Sequence, residues 1–203
     1  MEIEFNNILV DIMPIGLVVI LLLLFIEFRR KRSIPHIFCL IVFSIYILFA
    51  MKEVFFPINI NGTYADTMRK VPLISHINLI PFYLGQTQAF NDRDILDFIN
   101  NILLTIPFGF GVVFVSQFKL KDFIWLPFVV GFGVEITQLV ISLLLGYPYR
   151  VIDINDALLN AIGVLIGYGL FRVFAWLFIL MTRNLQIKSM EWFVFIHDVI
   201  TRV

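Results

Sequence analysis

Pro148-Tyr-Arg-Val-Ile-Asp-Ile-Asn-Asp-Ala-Leu-Leu-Asn-Ala-Ile-Gly-Val-Leu-Ile-Gly167 is a charged, turn-forming loop that runs directly into an apolar helix. With a helical register beginning near Arg150, the residues Arg150, Asp153, Asp156, Asn160, Gly163 and Gly167 recur at steps of three and four and share one face. One stripe therefore passes from charge, through amide, to bare backbone. The continuation, Val164 to Met181, is almost uncharged and long enough to enter a bilayer. This register places the charged end of the stripe at a membrane surface and the glycine end inside.

Composition says which solvent matters. The 203 residues are 60% hydrophobic, 16% aromatic and 15% charged, with a mean hydropathy of +0.94, too little polar surface for a water-soluble globule. A formal net charge of zero and a pI near 6.8 argue against nucleic-acid binding, which needs a basic face. Cys39 is the single cysteine, so an internal disulfide and a cysteine-rich metal site are both excluded. With no internal repeat and no low-complexity linker, the chain reads as one all-α, polytopic membrane bundle.

Five spans are expected. The first, about Ile8 to Phe28, follows an acidic N-terminal stretch and is followed at once by Arg29-Arg30-Lys31-Arg32, the reverse of a cleavable signal peptide. The positive-inside rule puts that basic loop in the cytoplasm and the N-terminus outside. The second span runs from about Pro35 to Phe56, and a loop from Pro57 to Asp97 follows on the outside. Within that loop, Leu73 to Leu84 is too short and too broken by Pro81 to cross the bilayer, and reads as an interfacial or re-entrant segment. The third span, Phe98 to Phe118, contains Pro107, where a kink is expected. Lys119 and Lys121 then lie inside. The fourth, Phe123 to Leu145, holds Glu135 near its middle. A carboxylate at that depth costs about 2.5 to 3.5 kcal/mol on insertion scales, so the face bearing Gly131, Glu135, Gln138 and Ser142 must look inward. The fifth span ends before Arg183, leaving the C-terminus cytoplasmic with an amphipathic interfacial helix in the tail. The organisation is then residues 1–72 as two spans and the start of the outer loop, 73–181 as a membrane core, and 182–203 as the tail.

This topology brings Asn78, the start of the third span at Asn100 and Asn101, Gln138 and the Arg150-Asp153-Asp156-Asn160 face to the outer half of the membrane. Four pieces in order, Asn78-Leu-Ile-Pro-Phe82, Asn101-Ile-Leu-Leu-Thr-Ile-Pro-Phe-Gly109, Glu135-Ile-Thr-Gln138 and Arg150-Val-Ile-Asp-Ile-Asn-Asp156 with Asn160, Gly163 and Gly167, resemble the VanZ-like family of membrane proteins. The resemblance covers about Leu73 to Leu170. It implies a bacterial plasma-membrane protein of the type associated with resistance to teicoplanin and related glycopeptides.

Three function classes fit these residues. One is a binder or screen for an amphiphile, a lipoglycopeptide or a lipid-linked wall precursor, with Asn78, Asn101, Gln138, Arg150, Asp153, Asp156 and Asn160 as its polar site among membrane lipids. The second is an intramembrane enzyme acting on an envelope lipid through Glu135, Arg150 and Asp153, a buried carboxylate being suited to general-acid work. The third is a structural partner or small transporter in which Arg150 only pairs with Asp153 or Glu135. Oxygen ligands for a hard cation exist in Glu135, Asp153, Asp156 and Asn160, but their spacing matches no EF-hand or P-loop, so no metal site is assigned and no cofactor is implied. A G-x-S-x-G nucleophile elbow is absent from the sequence. The Gly163-x-x-x-Gly167 pair reads as helix packing rather than ligand contact.

Overall fold

The computed structural model describes residues 9–10, 12–81, 92–117, 123–183 and 190–203. The helices are α1 (Met13–Arg29), α2 (Ile34–Phe55), α3 (Thr63–Met68), α4 (Asp92–Val115), α5 (Leu126–Leu145), α6 (Ile154–Thr182) and α7 (Glu191–Arg202). Strands β1 (Leu9–Val10) and β2 (Ile58–Asn59) pair antiparallel, and β3 (Ile77–Asn78) pairs in parallel with β4 (Ile152–Asp153). The all-α membrane bundle expected from composition is the fold observed. Four helices are long and apolar enough to cross a bilayer: α2, α4 from Ile95, α5 and α6. The remaining expected span, the first, corresponds to α1, whose 17 residues stand at the lower limit for crossing. Lys119 and Lys121, and Phe82 to Leu84 of the re-entrant reading, lie outside the described residues.

Helix α6 is the axis of the bundle, with α4 and α5 packed along it. In lipid there is little hydrophobic drive between helices, so close backbone approach must supply the packing energy. Glycines permit that approach here. A Cβ on Gly163 would overlap Thr105 Oγ1 and Ile102 O of α4, and one on Gly167 would overlap Ile106 O. Gly109 of α4 returns the contact against Val164 O, and Gly131 sits against Ala157 O between α5 and α6. The inward face expected for α5 is the buried one, comprising Pro127, Gly131, Glu135, Gln138 and Ser142.

Away from the polar end the core is aromatic. Val112, Val113, Phe123, Phe171, Ala175 and Val199 form its buried centre, ringed by Phe43, Phe108, Phe110, Phe114, Tyr168 and Phe174. Helix α7 closes this end. It is docked on one side: Val199 is buried, Trp192 meets Phe38 edge-on at 5.5 Å, and Arg202 donates to Val113 O at 3.2 Å. Val194 and part of Trp192 stay exposed, so the amphipathic tail helix expected from sequence both packs on the bundle and keeps apolar surface outward. Helix α4 passes through Pro107 without interruption, and Tyr46 of α2 donates to Leu104 O at 2.7 Å, beside the carbonyl that Pro107 leaves without its donor.

One local expectation is corrected. The helical register does not begin near Arg150, because Ile152 and Asp153 are extended and pair with Ile77 and Asn78. Helix α6 starts at Ile154 with Asp153 as its N-cap, whose side chain accepts from Asn155 N at 2.8 Å. The single stripe therefore begins only at Asp156, and Arg150 and Asp153 reach the same end of the bundle through the loop. The physical reason is that a strand partner and a cap satisfy the backbone groups that an added helical turn would have satisfied.

Candidate functional site

The C-terminal ends of α2 and α5 and the N-terminal ends of α4 and α6 meet at one end of the bundle, opposite α7. Between them lies an open-sided cavity of about 1100 Å³. Glu53, Asp97, Asn100, Asn101, Glu135, Gln138, Arg150, Asp153, Asn155, Asp156 and Asn160 supply its polar lining, and Val54, Phe98, Leu103, Leu104, Val134 and Val151 its apolar walls.

Several of these polar groups have an identifiable task. Asp153 is held from three sides: Asn78 Nδ2 lies 3.1 Å from both of its carboxylate oxygens, Asn155 N donates to Oδ1, and its own backbone N donates to Glu135 Oε2 at 3.0 Å. Asn78 is itself fixed by accepting from Ile80 N at 3.1 Å. Glu135 and Asp153 are therefore joined, but through a backbone N–H rather than as two reacting carboxyls. Glu135 and Gln138 are both buried, and Gln138 donates to Val54 O at 3.1 Å.

Arg150 points elsewhere than expected. Its Nη2 donates to Glu53 O and Phe56 O, each at 3.0 Å, at the C-terminus of α2. There it satisfies end-of-helix carbonyls and meets the negative end of the helix dipole. Among the described residues it makes no ion pair with Glu135 or Asp153. The salt bridge considered from sequence is replaced by a clamp holding the α5–α6 loop to α2.

That clamp is reinforced by aromatics. Tyr147 is buried, donates to Asn59 O, meets Tyr64 edge-on at 6.4 Å and lies beneath Arg69, 5.9 Å from ring centroid to guanidinium carbon. Burial raises the Tyr147 phenol and pushes that of Tyr149 up to about 12, so both stay neutral through the physiological range.

On the α4 side, Asn101 Nδ2 donates to Asp156 Oδ1 at 2.7 Å, and Thr105 Oγ1 donates to Asn160 O at 2.9 Å. Asn160 is 2% exposed, yet its Oδ1 has no hydrogen-bond donor among the described residues. The geometry thus gathers all the residues expected at the site into one end of the molecule. Asn101, Gln138, Arg150, Asp153, Asp156 and Asn160 line the cavity; Asn78 stands behind Asp153. Sequence reading placed Asn100 beside Asn101 at this end but missed Glu53, Asp97 and Asn155. A signal existed for Asp97, because Asp97, Asn100, Asn101 and Leu104 recur at helical spacing.

The chemistry available is narrow. Among the described residues, the lining holds no Ser, Thr, Cys, His or Lys, so the side chains available for acid–base or nucleophilic work there are carboxylates. No group of three or more His, Cys, Asp or Glu among the described residues is placed to hold a metal ion.

Residues 43–176 match the family model described as VanZ/LLP1, a stretch from the middle of α2 through most of α6 that takes in the cavity end of every helix lining it. No curated protein and no solved structure matches the chain.

Proposed function

The chain belongs to the VanZ/LLP1 family of membrane proteins, and from that premise we propose that it binds the polar head of an amphiphile at the outer leaflet of the bacterial plasma membrane. The observation that supports this most is the cavity itself. It has a polar floor and apolar walls, and it lies at the end of four bundle helices, all four of them long and apolar enough to cross a bilayer. A head group fits the floor and a fatty chain leaves along the walls. A lipoglycopeptide or a lipid-linked wall precursor has this form, and binding it would screen or sequester it. The enzymatic alternative narrows to carboxylate acid–base chemistry by Glu135 and Asp156, since Asp153 is consumed as a cap and Arg150 as a clamp.

Asp156→Asn tests the binding reading. Asparagine keeps an oxygen that accepts from Asn101, so the expected result is membrane abundance within about twofold of wild type together with lost protection of expressing cells against teicoplanin. Protection unchanged at equal abundance would overturn the assignment. Turnover of a lipid-linked precursor by the purified protein would move it to the enzymatic alternative.

Orientation is part of the proposal: the Arg29–Arg32 turn and α7 are cytoplasmic, and the cavity end is outside. With Cys39 replaced, a cysteine at Thr63 is expected to react with an impermeant thiol reagent on intact cells and one at Ser33 is not. Labelling of position 33 alone would invert the molecule and place the cavity in the inner leaflet.

A further inference from the structure

We propose that the head group taken by this cavity is cationic, a protonated amine that donates hydrogen bonds, rather than a phosphate or a neutral sugar. The inference rests on the binding reading above and names its ligand chemistry. Five carboxylates line the cavity, from Glu53, Asp97, Glu135, Asp153 and Asp156, against one guanidinium. That guanidinium, on Arg150, is already committed to two backbone carbonyls. No free cation among the described lining residues is left to receive a phosphate.

The second observation is independent of charge. Asn160 lines the cavity, and its buried Oδ1 has no hydrogen-bond donor among the described residues. A buried acceptor without a donor is costly, and a ligand N–H directed at it removes that cost. Two carboxylates of the same lining also have an oxygen with no donor among the described residues: Glu135 takes the Asp153 N–H on Oε2, and Asp156 takes Asn101 on Oδ1. Asp156 and Asn160 are four residues apart on α6, hence on one face, and Glu135 lines the same cavity from α5. An ammonium offers three donors and one positive charge to this set. A neutral polyol supplies donors but leaves the carboxylates repelling one another, and a phosphate adds to the repulsion.

The test uses the full chain in nanodiscs of phosphatidylcholine and three probes sharing one dodecyl chain: dodecylammonium, dodecyl maltoside and dodecyl phosphate. Saturable binding is measured for wild type, Asp156→Asn and Asp97→Asn, the last an exposed position whose change leaves the fold alone. Wild type is expected to bind the ammonium about tenfold or more tighter than either other probe, and each variant to lose much of that preference. Equal saturable binding of all three probes would overturn the cationic inference and leave the amphiphile-binding reading standing. An ammonium preference undiminished in both variants would place the cation elsewhere on the protein and also overturn it. Absence of saturable binding by any probe would remove both readings together.

Discussion

Gly163→Leu is expected to abolish accumulation of folded protein in the membrane. The glycine faces α4 at backbone contact, and the first side-chain carbon would already overlap Ile102 O and Thr105 Oγ1. Thr105 can rotate, but a helical carbonyl cannot, so the α4–α6 seam must open. Overpacking in a well-filled core costs about 1 to 3 kcal/mol and more where nothing yields, and opening the seam also breaks the Thr105 hydroxyl bond to Asn160 O. Gly133 and Gly169 supply the internal comparison, because a Cβ at either meets nothing within 4 Å. Alanine at those two positions is expected to leave the detergent melting temperature unchanged or raise it, by up to about 1 kcal/mol of helix propensity each. Equal effects at Gly163 and Gly133 would show that α4 and α6 do not meet as described.

Asp153→Ala is expected to be the most damaging change in the polar end. It removes the N-cap of α6, which is worth about 0.5 to 2 kcal/mol, and leaves the Asn78 amide without the carboxylate it holds. The parallel β3–β4 contact depends on that tie, so protease sensitivity between α3 and α4 should rise along with the fall in melting temperature. Asp153→Asn keeps an acceptor for both donors and is expected to recover most of the loss. If the two variants behaved alike, charge rather than capping would be the property that matters at this position.

Most of the helical architecture was legible in the sequence because it is written as long apolar runs and as inward-facing small or polar residues at helical spacing. Glu135, Gln138 and Ser142 declared the buried face of α5 in this way, as did Gly163 and Gly167 the α4-facing side of α6. The start of α6 was not legible, because Arg150 and Asp153 fit the helical period by number while Arg150 lies in a loop and Asp153 in a two-residue strand that no local pattern announced. Two residues pairing with Ile77 and Asn78 across 75 positions leave too short a trace to read from the chain alone. The partner of Arg150 was hidden for a related reason: it is a pair of backbone carbonyls, and any residue can supply those. The gathering of the site residues followed from topology, whereas their division into cap, clamp and open acceptor required the coordinates.

Binding of an amphiphile in the cavity is the central claim. Asn100 lines its mouth and is exposed, so Asn100→Trp should obstruct the opening without disturbing helix packing. The measurement is saturable binding of an alkyl amphiphile to wild-type and Asn100→Trp protein in nanodiscs, made beside their melting temperatures. Unchanged melting with binding weakened about tenfold or more is the predicted result, and unchanged melting with unchanged binding would contradict it.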